Sequence, residues 1–149
     1  MKRKTVTDSR ELVCRSKIKV RFNEVDSLKI VWHGEYVKYM EDGREAFGLE
    51  YPGLGYLDIY NFGYTAPVVD LHISYKSPLV YGDSAIIETR YIYTQAAKIM
   101  FAFCIFRESD RQLAAEGSSI QVFLDSDGEL VLVNPEFYIN WQKRWLKGI

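Results

Sequence analysis

A chain of 149 residues with net charge −1 and no basic block beyond Lys2-Arg3-Lys4 can bury one core of its own, and it offers no field for binding nucleic acid by bulk electrostatics. Its two cysteines, Cys14 and Cys104, are too few for a disulfide framework and have neither metal nor redox spacing. No run approaches the roughly 18 apolar residues of a membrane span, and Met1 to Arg10 lacks the apolar core of a secretion signal, so the expected setting is the cytoplasm.

Eleven tyrosines and eight phenylalanines favour strands over a helical bundle. Residues 1–12 are charged and without period, and are expected to be flexible. Ser16 to Phe22 alternates, with Ile18, Val20 and Phe22 set against Lys17, Lys19 and Arg21, which predicts a half-buried strand. From Gly34 to Phe47 the residues Tyr36, Met40 and Phe47 fall at helical spacing, with Val37 widening the stripe. Gly48 then suits a helix stop. Gly43, inside that helix, costs about 1 kcal/mol relative to alanine, which makes sense if the helix packs closely on something flat. Pro52 to Pro67, rich in glycine and aromatics, reads as a loop. Val69, Leu71, Ile73 and Tyr75 alternate with polar residues as a strand. "SPLVYGDS" brings a Gly82-Asp83 turn. Strand patterns return over Ser84 to Thr94, Lys98 to Glu108 and Leu113 to Leu124. Asp127-Gly128 is a hairpin-type turn. Asn134 as cap and Pro135 as first residue open a last helix, over 134–147, with Phe137, Trp141 and Trp145 as its packing stripe.

One long helix followed by a run of strands argues for α+β architecture: an antiparallel sheet of about five strands wrapped around the helix, in one domain covering residues 1–149. "IMFAFCIF", from Ile99 to Phe106, is apolar on both faces. A single helix covers only one of them, so a partner subunit is expected.

The stretch "EVDSLKIVWHGEYVKYMEDGRE" resembles the signature of the hotdog-fold acyl-CoA thioesterases of the 4-hydroxybenzoyl-CoA thioesterase type. Glu24 and Asp26 match its two acids, and Ile30-Val31-Trp32 its apolar step. His33 matches its His/Tyr position, Tyr36 its tyrosine, and Glu41 with Arg44 its helix pair. "YKSPLVYGDS" resembles a second stretch through Tyr75, Pro78, Gly82 and Asp83. The likeness spans about Ser16 to Asp125. Two positions depart from the pattern: Lys29 stands where the family usually has glycine, and Glu35 where it usually has a small polar residue.

The resemblance implies hydrolysis of an acyl-CoA to free acid and CoA, in sites between the subunits of a homodimer that pairs further to a tetramer. CoA is then part of the substrate; no separate cofactor and no metal are called for. Asp26 becomes the general base or the nucleophile, or else an ordinary turn acid. His33 becomes a second catalytic residue, through its imidazole or through its backbone alone. Backbone N–H groups at His33 and Gly34 would polarise the thioester carbonyl, and Gly34 lets a ligand come close. Val31, Trp32, Gly34 and Glu35 complete the substrate-binding set. Glu35 in the first helical turn suits the dipole; alternatively its charge bears on the site and on Asp26. The glycine-rich segment after the helix would line or lid an acyl pocket. Two other functions fit the same fold: a non-catalytic acyl-binding module, favoured by Lys29 and Glu35, and a dehydratase, against which the position of Asp26 argues.

Overall fold

The computed structural model describes residues 11–148. Five strands, β1 (Glu11–Lys19), β2 (Val68–Tyr75), β3 (Ser84–Ile92), β4 (Lys98–Arg107) and β5 (Leu113–Val122), form one antiparallel sheet in the order β1-β3-β4-β5-β2. The two strands that come first in the chain therefore occupy opposite edges. Between them in sequence lies α1 (Glu35–Glu50), which runs across the inner face of the sheet. Two shorter helices, α2 (Tyr56–Asn61) and α3 (Glu136–Trp145), complete the fold. No helix among the described residues is long and apolar enough to cross a membrane.

Alternation in the strands builds the core. Ala85, Ile87, Thr89 and Tyr91 of β3 are buried, as are Ile99, Phe101, Phe103 and Ile105 of β4. They meet Tyr36, Tyr39, Met40, Gly43 and Phe47 of α1. Phe47 sits edge-on to Phe101 at 5.0 Å between ring centres. Gly43 rests directly on β3: a Cβ there would overlap the Thr89 hydroxyl and stand 2.7 Å from an Ile87 methyl. Gly43→Ala should therefore destabilise the protein. The gain in helix propensity, about 1 kcal/mol, is smaller than the roughly 1–3 kcal/mol of an overpacked core, and a urea titration should show the net loss. The alternate residues of β4, Met100, Ala102, Cys104 and Phe106, are half-buried in the single chain.

Several boundaries differ from the sequence reading. The first strand begins at Glu11, so Glu11 and Leu12 are ordered in β1; residues 1–10, the rest of the segment expected to be flexible, lie outside the described residues. Phe22 falls beyond the strand, in a short 3₁₀ turn (Phe22–Glu24), and is 80% exposed. The long helix continues through Gly48 and ends before Pro52, whose ring disfavours helical geometry at Tyr51. Inside the expected loop, Asp58 receives the Gly55 N–H (3.0 Å) and starts α2. Asn134 does not cap α3; its amide donates to the Gln95 carbonyl.

α3 closes the end of the core beyond the α1 C-terminus. Trp141 and Trp145 donate their indole N–H groups to the carbonyls of Tyr51 and Pro52. Gln142 donates to the Tyr91 hydroxyl (3.0 Å), Tyr138 donates to the Lys98 carbonyl (3.0 Å), and the two hydroxyls lie 2.5 Å apart. Since the Tyr138 proton is committed to Lys98, Tyr91 is the donor to Tyr138. Both buried hydroxyls thus donate one hydrogen bond and accept one, as burial requires.

Candidate active site

A tight hairpin precedes α1. Val25 bridges Val31, the Asp26 N–H donates to the Ile30 carbonyl (2.9 Å), and the Lys29 N–H returns to the Asp26 carbonyl (2.9 Å). One Asp26 carboxylate oxygen accepts the Leu28 N–H at 2.8 Å, the bond that makes aspartate a turn former. The other has no partner among the described residues. Ile30 bridges Val80, and the Val31 N–H donates to the Leu79 carbonyl, so the hairpin is tied to the β2–β3 connection.

Lys29 closes the turn at φ +64°, a conformation that costs a residue with a Cβ roughly 1–2 kcal/mol. This is the position where glycine was expected. The backbone has kept the glycine conformation without the glycine. Lys29→Gly should raise stability by about 0.5–1 kcal/mol, after glycine's own entropy cost is subtracted, measured as a shift in the urea midpoint.

The Glu35 N–H turns back onto the Trp32 carbonyl (2.9 Å) and starts α1, with Gly34 as its first cap residue. Neither the His33 nor the Gly34 N–H has a hydrogen-bond partner among the described residues. The helix dipole adds partial positive charge at the same place. The Trp32 ring lies across Gly34 so closely that any Cβ at residue 34 would overlap it. A side chain at residue 34 would have to displace this half-exposed ring.

The hairpin, the start of α1 and the end of β2 enclose a cleft of about 370 Å³, lined among others by Asp26, Val31, His33, Tyr36 and Tyr75. Asp26 is half-buried in it. The Tyr75 hydroxyl donates to the His33 carbonyl at 2.7 Å, and its ring meets Tyr36 edge-on at 5.2 Å. The His33 imidazole is exposed and meets the Tyr75 ring edge-on at 6.4 Å. Burial pushes the Tyr36 phenol above its ordinary range, so at neutral pH it stays protonated and can donate.

Of the residues singled out from sequence, the structure brings Asp26, Val31 and His33 into one cleft, with Gly34 adjoining at the helix start. Trp32 covers Gly34 and is 48% exposed. Glu35 is placed differently. Its buried side chain points into another groove, lined by Lys17, Lys19, Arg21 and Glu24, where it accepts from Lys38 at 3.2 Å. Glu24, the first acid of the signature, faces that groove too and accepts from the Tyr39 hydroxyl and the Arg21 N–H. Successive helix positions diverge by about 100°, and this divergence carries Glu35 and Tyr36 to different sides of α1. Tyr36 was read as core and Tyr75 as a strand residue; both line the cleft. The periodicity identified the buried face of α1 but could not say that its first turn borders a cavity. The cysteines offer no rival nucleophile. Burial, with the Glu50 carboxylate adding to it, pushes the Cys14 thiol up to about 12, and burial raises that of Cys104.

The family model described as the thioesterase-like superfamily matches residues 20–144. The chain belongs to the thioesterase-like superfamily. Within it, the chain is 30% identical over 136 residues to YneP of Bacillus subtilis (strain 168), a protein named provisionally as an acyl-CoA thioesterase; the match covers 91% of this chain and 97% of that one. It is 31% identical over 109 residues to the chloroplastic acyl-acyl carrier protein thioesterase ATL3 of Arabidopsis thaliana, covering 73% of this chain and 57% of that one. The solved DHNA-CoA thioesterase of Staphylococcus aureus superposes with a TM-score of 0.78 at 23% identity, over 89% of both chains. The sheet wrapped around α1 is the hotdog fold, and the family places this chain among the thioester hydrolases.

Proposed function

We propose that this superfamily member hydrolyses an acyl-CoA thioester to the free acid and CoA, with Asp26 as general base or nucleophile. The observation that carries the reading is the half-buried Asp26 carboxylate, one oxygen without a partner among the described residues, in a cleft lined by His33, whose N–H and that of the adjoining Gly34 are likewise without a partner among them. In the base form of the reaction, a water oxygen adds to the thioester carbon while Asp26 takes its proton. The carbonyl electron pair moves onto oxygen, where the His33 and Gly34 N–H groups and the helix dipole stabilise the charge. Collapse re-forms the carbonyl, breaks the C–S bond and returns the proton to the leaving thiolate. In the nucleophilic form, an Asp26 oxygen makes the first attack and water resolves the resulting anhydride. His33 contributes through its backbone, since its carbonyl is held by Tyr75 while its imidazole is exposed. Water is the only co-reactant that either route consumes.

A second copy of the chain completes the site. The outer edge of β1 carries Arg15, Lys17 and Lys19, a charged strand of the kind that resists pairing. The β2 edge instead exposes Val68, Val69, Leu71 and Tyr75. Antiparallel pairing of two β2 strands sets the Tyr75 end of one copy against the Val68 end of the other. Those ends lie roughly 23 Å apart within one strand, at about 3.3 Å per residue. The pairing therefore brings the Asp26 cleft of each copy beside the pocket that opens at the start of the other's β2.

The two departures that favoured a non-catalytic binding module lose their force. Lys29 preserves the turn, and Glu35 points into the other groove. Thiol release measured over short, long and aromatic acyl-CoAs, repeated with the same acyl groups on acyl carrier protein, tests the reading, and turnover of at least one thioester is expected. Tight binding without turnover on every substrate would overturn it. Light scattering at micromolar concentration should find a dimer or larger; a monomer there removes the composite site.

A further inference from the structure

Each N–H that lacks a partner at the start of α1 is one end of a peptide group whose other end is a carbonyl. The His33 N–H shares its peptide with the Trp32 carbonyl, which accepts the Glu35 N–H at 2.9 Å. The Gly34 N–H shares its peptide with the His33 carbonyl, which accepts the Tyr75 hydroxyl at 2.7 Å. The peptide group is planar, and in its trans form the N–H and C=O point in opposite directions, so a bond that fixes the carbonyl also aims the amide. The first of these anchors is main chain. The second is a side chain brought in from β2.

Tyr75 is well placed to hold that peptide. Its backbone pairs with Ala115 of β5, and the Lys76 N–H beside it donates to the Ala114 carbonyl at 2.8 Å. Its ring is braced edge-on by Tyr36 at 5.2 Å and by His33 at 6.4 Å. Phenylalanine would keep both ring contacts, so the hydrogen bond is what the tyrosine adds. Its one phenolic proton goes to the His33 carbonyl and is not free for a substrate. A hydrogen bond accepted by a carbonyl also polarises its peptide and makes the N–H at the far end a stronger donor. That gain is larger for an oxyanion than for the ground-state carbonyl, so it falls mainly on the transition state.

We propose that Tyr75 is a positioning residue for the hydrolysis: through the His33–Gly34 peptide it aims and polarises the Gly34 N–H that stabilises the oxyanion. The inference rests on the thioester-hydrolase reading. It gives a residue of the open β2 edge a part in the chemistry without contact with the reacting atoms.

The test is Tyr75→Phe, assayed on whichever of the short, long and aromatic acyl-CoAs the wild type turns over fastest. kcat should fall about tenfold, less than the hundredfold or more that follows loss of an oxyanion donor itself. KM should stay nearly constant, as for an interaction made only in the transition state, and light scattering should show the wild-type assembly. The second readout is one that a merely structural role would not move. It is the infrared carbonyl band of the bound ketone analogue of the same acyl-CoA, with methylene in place of sulfur and carbon-13 at the carbonyl. Bound to the wild type, the band should lie below its frequency in water; in Tyr75→Phe it should return part of the way. If Tyr75→Phe fails to fold or assemble, 3-fluorotyrosine at residue 75 decides: its more acidic phenol is a stronger donor and should lower the band further. Wild-type kcat in Tyr75→Phe overturns the inference and leaves the thioesterase reading intact. So does a rise in KM with kcat kept, which would put the hydroxyl on the substrate, and so does a band that ignores the replacement. Absence of wild-type hydrolysis on every thioester overturns both.

Discussion

Asp26→Asn should lower kcat by about a hundredfold or more while leaving the melting temperature nearly unchanged. The first half follows from chemistry: a carboxamide can neither take a proton from water nor attack a carbonyl carbon, and loss of such a group typically costs 10²–10⁴ in rate, the lower figure being about 2.7 kcal/mol of barrier. The second half follows from the hairpin. The structural duty of Asp26 is to accept the Leu28 N–H, and an asparagine carbonyl does the same in this kind of turn. If Asp26 were merely a turn acid, the substitution would change neither quantity. The combination of lost turnover and intact stability therefore separates a catalytic from a structural role. Wild-type hydrolysis in the variant, across the substrate range, would end the proposed mechanism. Single-turnover hydrolysis in oxygen-labelled water then probes its two forms. Label in the product acid at the first turnover marks water adding to the acyl carbon, of the thioester or of an anhydride. Label in the Asp26 side chain marks an anhydride opened at the aspartyl carbon.

Stability should fall steeply above pH 10. Tyr91 and Tyr138 are fully buried and hydrogen-bonded to each other, and burial, the leading cause for both, raises their phenols above the ordinary range, that of Tyr138 the further. In the unfolded chain the same groups ionise near pH 10. Above that pH the unfolded state binds fewer protons than the folded state, so unfolding becomes more favourable as pH rises. The stability that these groups contribute is present in full below pH 10 and lost as pH climbs towards their folded values. Two groups that stay protonated in the fold give a slope of at most about 2.7 kcal/mol per pH unit. Tyr39, buried beside Glu24 and shifted the same way, steepens it. Urea midpoints between pH 9 and pH 12 measure the slope. Tyr138→Phe should be less stable at neutral pH, because Tyr91 loses its acceptor, and should also show a shallower alkaline decline. A flat profile up to pH 12 would mean that the buried phenols do not resist ionisation.

Much of this architecture can be read from residue patterns because the relevant forces are local. Alternation marks β2, a β-branched and aromatic run marks β3, an apolar run marks β4, the spacing of Tyr36, Met40 and Phe47 marks α1, and Asp127-Gly128 marks its turn, with Gly128 at φ +78°. The other boundaries were settled by a proline just past the helix or by contacts made across the fold. Gly48 looked like a stop, but Pro52 ends the helix. Asn134 looked like a cap, but its amide is drawn to Gln95, 39 residues earlier in the chain. α2 was hidden because Tyr56, Leu57 and Tyr60 are exposed, leaving only Ile59 to signal an inner face. At the candidate site, sequence adjacency misled for Glu35, which lies beside Tyr36 in the chain but on another side of the helix. Tyr75 is 42 residues from the His33 carbonyl that it bonds, and nothing in the local pattern ties the two together.

That bond has a further consequence. Tyr75 stands on the open β2 edge, yet its hydroxyl holds the peptide group from which α1 departs. A strand added to that edge and a molecule lodged at the helix start therefore press on the same side chain. By thermodynamic linkage the effect is mutual: whatever factor association contributes to occupancy of the cleft, occupancy returns to association.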